Sequence, residues 1–276
     1  MKKIVSIMAG VLCLMACNKV ENPSNSNNLS AVASIDTQTK TVYTDNGAGN
    51  GMKVDWAESD SFTAYYNGTS TLTFSKSAAG STFSAVDVPE GVNTSTQFTG
   101  LYGSAATLSS TGAINIDFRK QDGSLKNLPA YDVMTAISEL TDGALSFAFK
   151  HKCAIIRLSV KSNDSYSRTS VNKVELNFYR SSISSDFANS GFSRDANTAY
   201  NTITFTLAES IPYGETKTVY CVVPAISYQS NSYSNLPTAK NNLASGVFFT
   251  PEVGIVAGKV YDASVNYIGE YCTNPE

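Results

Sequence analysis

The sequence predicts an all-β chain: a signal peptide over residues 1–16, a disordered tether over 17–30, then two tandem β-sandwich domains of about seven strands each over 31–150 and 151–276. Three observations lead there. Charged residues make up 16% of the chain, well below the roughly 25% of a typical soluble protein. Ser, Thr, Asn and 15 Tyr fill the polar positions instead, a composition that suits extended chain with many turns rather than long amphipathic helices. Apolar residues recur with a period of two in short runs separated by turn signals. Finally, residues 144–160 (ALSFAFKHKCAIIRLSV) hold two strand patterns out of phase. Leu145, Phe147 and Phe149 are odd; Ala154, Ile156, Leu158 and Val160 are even, with Lys150-His151-Lys152 between. A one-residue slip moves every side chain to the other face. Either a bulge absorbs the extra residue, or one strand closes a first domain and the next opens a second. The second reading agrees with a length of 276 residues, at about 150 per domain.

The leader is the most specific signal. Lys2 and Lys3 precede an apolar run from Ile4 to Leu14, and Leu14-Met15-Ala16-Cys17 resembles the lipobox of bacterial lipoproteins. Small Ala16 fits a signal peptidase pocket, and the Cys17 thiol takes a diacylglycerol before cleavage frees its amine for a further acyl chain. The apolar run is short of the about 20 residues a membrane helix needs. Several acyl chains on one residue anchor a protein stably in the outer membrane. Losing Lys2 and Lys3 with the leader lowers the formal charge by two, from −3 to −5. The polar stretch after Cys17 (NKVENPSNSNNLS) has no hydrophobic pattern and gives the folded part reach. No basic run interleaved with aromatics occurs, which argues against nucleic acid as a partner.

The folded part reads as strand and turn. Ala31, Ala33 and Ile35 make a first strand and residues 41–44 a second, followed by the loop 45–51 (DNGAGNG). That loop lacks the long apolar preceding strand and following helix of a phosphate loop, and the distal glutamate of a calcium loop, so it reads as a flexible hairpin connection. Strands are expected at 52–56, including Trp56, and at 61–66, closed by the hairpin dipeptide Asn67-Gly68. Others follow at 71–74, 81–83, 97–102 and 113–118. Tyr131, Met134, Ile137 and Leu140 recur every three residues, as one face of a helix after Pro129 would, but Val133 is apolar on the wrong face. In the second half Val174, Leu176 and Phe178 alternate, as do Ile203, Phe205 and Leu207, then Val219, Cys221 and Val223. Tyr261, Ala263, Val265 and Tyr267 share one face of the last pattern.

Several short motifs coincide. These are W-x-x-x-D-x-F (Trp56, Asp60, Phe62), F-x-G-x-Y (Phe98, Gly100, Tyr102), D-x-M-x-A (Asp132, Met134, Ala136), F-x-F-x-H followed by A-x-I-x-L-x-V (147–160), and G-K-x-Y (258–261). Together they resemble the fimbrillin-like (Mfa-like) lipoproteins, subunits of type V pili on Gram-negative gut and oral bacteria. The resemblance touches most of the mature chain. It implies a strand at Met134 rather than a helix. It also implies assembly by strand exchange: a first strand is removed by proteolysis and another subunit's strand fills the groove. Stalk subunits of that family are cut after an arginine, whereas the first arginine here is Arg119. Lys40 is the basic residue nearest the expected place. The Tyr261, Ala263, Val265, Tyr267 face is the candidate for exchange, but only residues 268–276 follow it. An accessory tip or anchor subunit is therefore expected.

A search for catalysis finds little. His151 is the only histidine, no G-x-S-x-G elbow occurs, and Cys153, Cys221 and Cys272 are scattered singly rather than at zinc-ligand spacing. A polar residue at a domain junction is the better account of His151, and neither an enzyme nor a cofactor is expected. With Cys17 lipidated, three cysteines remain outside the leader, which allows one disulfide or none. The loop 227–235 (SYQSNSYSN), with Tyr228 and Tyr233, has the composition of an adhesive surface, though a soluble loop on a Tyr-rich protein is the better account of it. Expected partners are other pilus subunits, the outer membrane through Cys17, and a host or bacterial surface glycan or protein. The alternative is a glycan-binding lipoprotein of a nutrient-uptake system, which would use exposed aromatic platforms. Trp56, placed in a strand pattern, weighs against it. A purely structural surface lipoprotein is the third reading.

Overall fold

The structure is a computed structural model that describes residues 28–35, 42–50, 52–76, 81–93, 96–163, 168, 170–177, 202–227 and 254–267. Strands dominate. In the first half they are β1 (Leu29–Ile35), β2 (Val42–Asp45), β3 (Met52–Asp55), β4 (Ser61–Tyr66), β5 (Ser70–Lys76), β6 (Thr82–Ala85), β7 (Gln97–Tyr102), β8 (Thr107–Leu108), β9 (Ile114–Asn115), β10 (Met134–Glu139) and β11 (Ala144–His151). The second half holds β12 (Cys153–Ser162), β13 (Val171–Asn177), β14 (Thr202–Ile211), β15 (Thr216–Pro224), β16 (Ile226–Ser227), β17 (Gly254–Ile255) and β18 (Val260–Tyr267). Helix among the described residues is confined to a 3-10 turn at Phe118–Lys120 and one α turn, α1 (Leu128–Tyr131), with Pro129 in its first turn.

Two facing sheets were expected in the first half; instead seven strands close into a barrel in the order β1-β11-β10-β7-β4-β5-β6. Closure depends on β1. It runs parallel to β11 from Ser30↔Ala144 to Ile35↔Phe149 and antiparallel to β6 from Leu29↔Ala85 to Val32↔Thr82, so neither neighbour is left with a bare edge. The barrel core is aromatic. Phe62, Phe74, Phe83, Phe98, Phe147 and Phe149 are all at most 3% exposed, each burial contributing about 2 kcal/mol. Phe62 stacks on Phe74 at 5.1 Å and meets Phe147 edge-on at 4.9 Å. Rings of this size fit because small residues face them: Ala31, Ala33, Ala64, Ala85 and Ala136 line the same interior.

The second core is built around β12, buried on both faces from Cys153 to Leu158. β12 lies between β15, antiparallel, and β18, parallel. A separate pair, β13–β14, contributes Val174, Leu176, Ile203 and Phe205 to this core. The out-of-phase patterns at 144–160 thus belong to different cores: Leu145, Phe147 and Phe149 fill the barrel, while Ala154, Ile156, Leu158 and Val160 fill the second core. That second core also draws Tyr43, Met52, Ala106, Ile114, Ile116, Phe118, Leu128, Tyr131 and Val133 from the first half of the sequence.

Residues 121–123 tie those parts together. Gln121, 4% exposed, acts as a strand neighbour to β15: Val222 N–H donates to its Oε1 at 2.7 Å, and its Nε2 donates to the Val222 carbonyl at 3.1 Å. Tyr220 N–H donates to the Gly123 carbonyl at 2.9 Å, and Ala208 N–H on β14 donates to the Asp122 carbonyl at 2.9 Å. A Cβ on Gly123 would lie 2.7 Å from Val219, so only glycine allows this approach.

Several local expectations need adjusting. Trp56 follows β3 rather than lying in it, and strand structure at 113–118 is limited to Ile114–Asn115 before the 3-10 turn. Residues 134–139 form strand β10, and the helical signal after Pro129 is spent in the single turn α1. Asn67 and Gly68 both take positive φ, 46° and 86°, in the three-residue turn that joins the paired Tyr66 and Ser70.

Candidate functional site

Each recurring motif has a structural role. Asp60 fixes the turn between β3 and β4: its Oδ2 accepts from Ala57 N–H at 2.5 Å and its Oδ1 from Tyr102 Oη at 3.3 Å. That turn holds Trp56 at the barrel end, edge-on to Phe83 at 5.1 Å, Tyr102 at 5.6 Å and Phe149 at 6.0 Å. Trp56 is therefore half-buried packing, not a free platform. Gly100 leaves room for the barrel aromatics, since a Cβ there would be 2.9 Å from Phe147 and 3.0 Å from Phe149. In the G-K-x-Y stretch, Gly258 N–H donates to the Cys153 carbonyl at 2.8 Å and the Lys259 carbonyl accepts from Ile155 N–H at 3.0 Å. Tyr261 Oη accepts from Val256 N–H at 2.9 Å.

His151 and Asp132 lie where the two cores meet. His151 Nδ1 is 3.0 Å from Asp132 Oδ1, with side chains 5% and 1% exposed. Tyr43 from β2 donates its hydroxyl to Asp132 Oδ2. Burial pulls the His151 pKa down, but the Asp132 charge and hydrogen bond outweigh it and hold the pKa above the usual 6.5. Burial and Asp132 push the Tyr43 hydroxyl well above its usual range, and likewise the Cys153 thiol nearby. Enclosed this way, the Tyr43–Asp132–His151 network joins elements and offers a substrate no approach.

A second charged cluster fastens the β2–β3 hairpin to the β15-β12-β18 sheet. Tyr220, Arg157 and Asp262 stand directly opposite one another on those three strands. Arg157 Nε and Nη2 donate to the Asp262 carboxylate at 2.5 and 3.0 Å, and Nη1 donates to Asp45. Tyr220 Oη donates to Asp45 Oδ2 at 2.6 Å; burial first, and then this bond and the Asp45 charge, push its pKa up to about 12. Arg157 holds the Asp262 carboxyl below its usual range. Despite partial burial, Asp45 is lowered too, by Tyr220, Gly47 N–H and Arg157. Gly49 N–H donates to Asp262 Oδ2 at 2.8 Å. The DNGAGNG loop, expected to be a flexible connection, is thus pinned at Asp45 and Gly49.

The sequence-predicted site residues are placed as follows. Ala31, Ala33 and Ile35 lie on β1 between β6 and β11, with Ala31 opposite both Leu145 and Phe83 and Ala33 opposite Phe147. Tyr261 and Ala263 are half-buried, and Val265 and Tyr267 are 2% exposed, in the second core. β18 is an edge of its sheet among the described residues. Cys153 and Cys221 are both buried and free. Cys221 is opposite Ile156, on the even face of β12, whereas Cys153 is on the odd face, so the sheet separates them. Ala16, Cys17, Lys40, Tyr228, Tyr233 and Cys272 lie outside the described residues. Gln121 and Arg157 were not foreseen; a buried polar residue within a strand-and-turn sequence leaves no periodic signal.

No family model matches the sequence, and no curated protein does. Solved structures do. The chain is similar to a candidate cell adhesion protein from Bacteroides ovatus, at 14% identity over 89% of this chain and 94% of that one, with a TM-score of 0.47. A fimbrial protein from the same organism is 13% identical over 90% of this chain and 52% of its own, with a TM-score of 0.34. The fimbrial anchor protein Mfa2 from Porphyromonas gingivalis is 16% identical over 76% of this chain and 77% of its own, with a TM-score of 0.28. These structural neighbours are fimbrial and candidate adhesion proteins.

Proposed function

We propose that this chain is a lipid-anchored, exported, fimbrillin-like subunit that works by assembly and adhesion rather than catalysis, in an accessory role at the tip or anchor of a type V pilus. The observation that carries the reading is the placement of β1. It is hydrogen-bonded along both edges in the barrel, yet contributes only Leu29, Ala31 and Ala33 as buried side chains. The next element, β2, is committed to the other core through Tyr43 and Asp45. Cutting the linker at 36–41, after Lys40, would free β1 with the tether and lipid while β2 stays held. The vacated slot would present unpaired backbone groups on β6 and β11 to another subunit's strand.

An accessory role is supported by two features. The chain has no arginine before Arg119 to direct the usual processing. In addition, Val265 and Tyr267 fill the chain's own second core, so β18 would have to leave that core in order to be donated. In this reading the outer membrane is reached through the lipid on Cys17, and other pilus subunits are the principal partners. The test is to treat purified protein with a trypsin-like protease, incubate it, and run it on a gel. The expected result is release of the N-terminal segment without homopolymers. A ladder of multimers would show a self-assembling stalk subunit instead.

A further inference from the structure

Three turns meet at one end of the barrel. The Asn67-Gly68 hairpin, the loop at Gly91 and Asn93, and the β8–β9 turn at 109–112 enclose an open cleft of about 620 Å³, within the roughly 300–1,000 Å³ range of ligand sites. Its walls are braced. Leu108 N–H donates to Tyr65 Oη at 3.2 Å, tying the β8–β9 turn to β4. The turn is closed by Gly112 N–H to the Ser109 carbonyl at 2.9 Å, and Asn93 N–H donates to Thr96 Oγ1 at 3.0 Å. Gln97 Nε2 donates to Glu139 at 3.3 Å, which sets the direction of its amide. Binding would therefore need little ordering of the protein.

The chemistry of the lining selects a ligand class. Among the described residues no side chain lining the cleft carries a charge, so nothing there favours a phosphate, a metal ion or a nucleic acid. Asn67, Asn93, Gln97, Thr99 and Ser110 each bring groups able both to donate and to accept hydrogen bonds, and Tyr65 adds a half-buried ring. Gly68, Gly91 and Gly112 all take positive φ, and a Cβ at any of them would meet nothing within 4 Å. Bare backbone thus reaches the rim next to open space. A ligand dense in hydroxyl groups, each both donor and acceptor, matches this lining. A peptide binding by strand addition does not, because β4 and β7 are already paired on both sides.

We propose that this cleft binds a neutral glycan segment. The site deepens the adhesive part of the proposed function by giving it a ligand class, and it lies apart from the β1 slot. The test uses the full chain passed over immobilised neutral polysaccharides (a mannan, a β-glucan and a galactan), with heparin and an array of unstructured peptides alongside. Ser110→Trp would fill the cleft from the exposed turn, and Gln97→Ala would remove one of its amides; neither residue belongs to a core. The expected result is retention on at least one neutral polysaccharide, weakened about tenfold in each variant, with unchanged thermal midpoints. The proposal is overturned by absence of retention on all three neutral polysaccharides, by retention that both variants keep, or by binding confined to heparin or peptides. Strand exchange is not read by this experiment, so either proposal can fail while the other stands.

Discussion

Asp132 Oδ1 and His151 Nδ1 are 3.0 Å apart at the meeting of the two cores, and the Tyr43 hydroxyl completes the carboxylate's surroundings from β2. His151 thereby has a folded pKa raised above its unfolded value near 6.5. A raised pKa contributes stability that is fully present below the unfolded value and is lost as pH rises through the folded one. The thermal midpoint is therefore expected to fall between mildly acidic pH and a pH above the folded value. In His151→Gln this pH-dependent step should disappear. An equal step in both proteins would show that another group titrates.

Arg157 is 5% exposed and compensates two carboxylates, Asp45 and Asp262. Removing it leaves both without their cation, with an expected loss of about 2 to 3 kcal/mol in denaturant unfolding for Arg157→Ala. Arg157→Lys should recover only part of this, because an ammonium cannot reach two acids with the same planar fork. The lowered Asp45 and Asp262 values have the opposite pH sign to His151. Their contribution is present above about pH 4 and is lost as pH falls through the folded values. A full recovery of stability by lysine would reduce the cluster to simple charge balance.

The difference between the two clusters and the barrel explains what could be read from the sequence. The barrel strands carry period-two patterns because one face meets the core and the other solvent, and β4, β5 and β11 fall where that alternation put them, whereas β10, masked by a period-three pattern, was expected only from the family resemblance. The break at 150–153 was visible for the same reason. Closure of the barrel was not, since pairing of β1 with β11 joins residues more than a hundred positions apart and leaves no local trace. Nor was the tie at Gln121: its partner Val222 is 101 residues away, and a glutamine among turns looks like any other polar residue. The motifs at Asp60, Gly100 and Gly258 were recognisable as a set, but their roles in fixing a turn, admitting rings and docking a strand end emerge only from distances.

Gly100 offers a sharp test of barrel packing. A methyl group there would sit 2.9 Å from Phe147 Cδ1 and 3.0 Å from Phe149 Cζ, inside normal contact, with both rings at most 1% exposed. Gly100→Ala is expected to destabilise the chain by about 1 to 3 kcal/mol. Gly112→Ala has no such neighbour, so its cost should be limited to the strain of positive φ. Equal losses for the two variants in chemical denaturation would mean that the rings can move aside.

The lipid prediction rests on Leu14-Met15-Ala16-Cys17 behind a basic and apolar leader. Cells expressing the chain and fed a fatty-acid analogue are expected to label the wild type and not Cys17→Ser. Equal labelling would place any lipid elsewhere or show carry-over of unbound analogue.

The last prediction concerns independence of the two cores. Expressed alone, a fragment of residues 153–272 would lack Tyr43, Met52, Ile116, Phe118, Leu128 and Tyr131, all of which pack in the second core. It would also lose Gln121 and Gly123 against β15, exposing the edge at Tyr220 and Val222. Six buried side chains at about 2 kcal/mol each exceed much of the 5–15 kcal/mol by which a domain is ordinarily stable. The fragment is therefore expected to be unfolded by circular dichroism, while in the whole chain the second core is folded below the thermal transition. Residues 29–151 keep every strand of the barrel and should retain strand structure, with Phe118, Leu128 and Tyr131 newly exposed. A cooperative transition from 153–272 alone would show that the first half's side chains decorate that core without being needed for it.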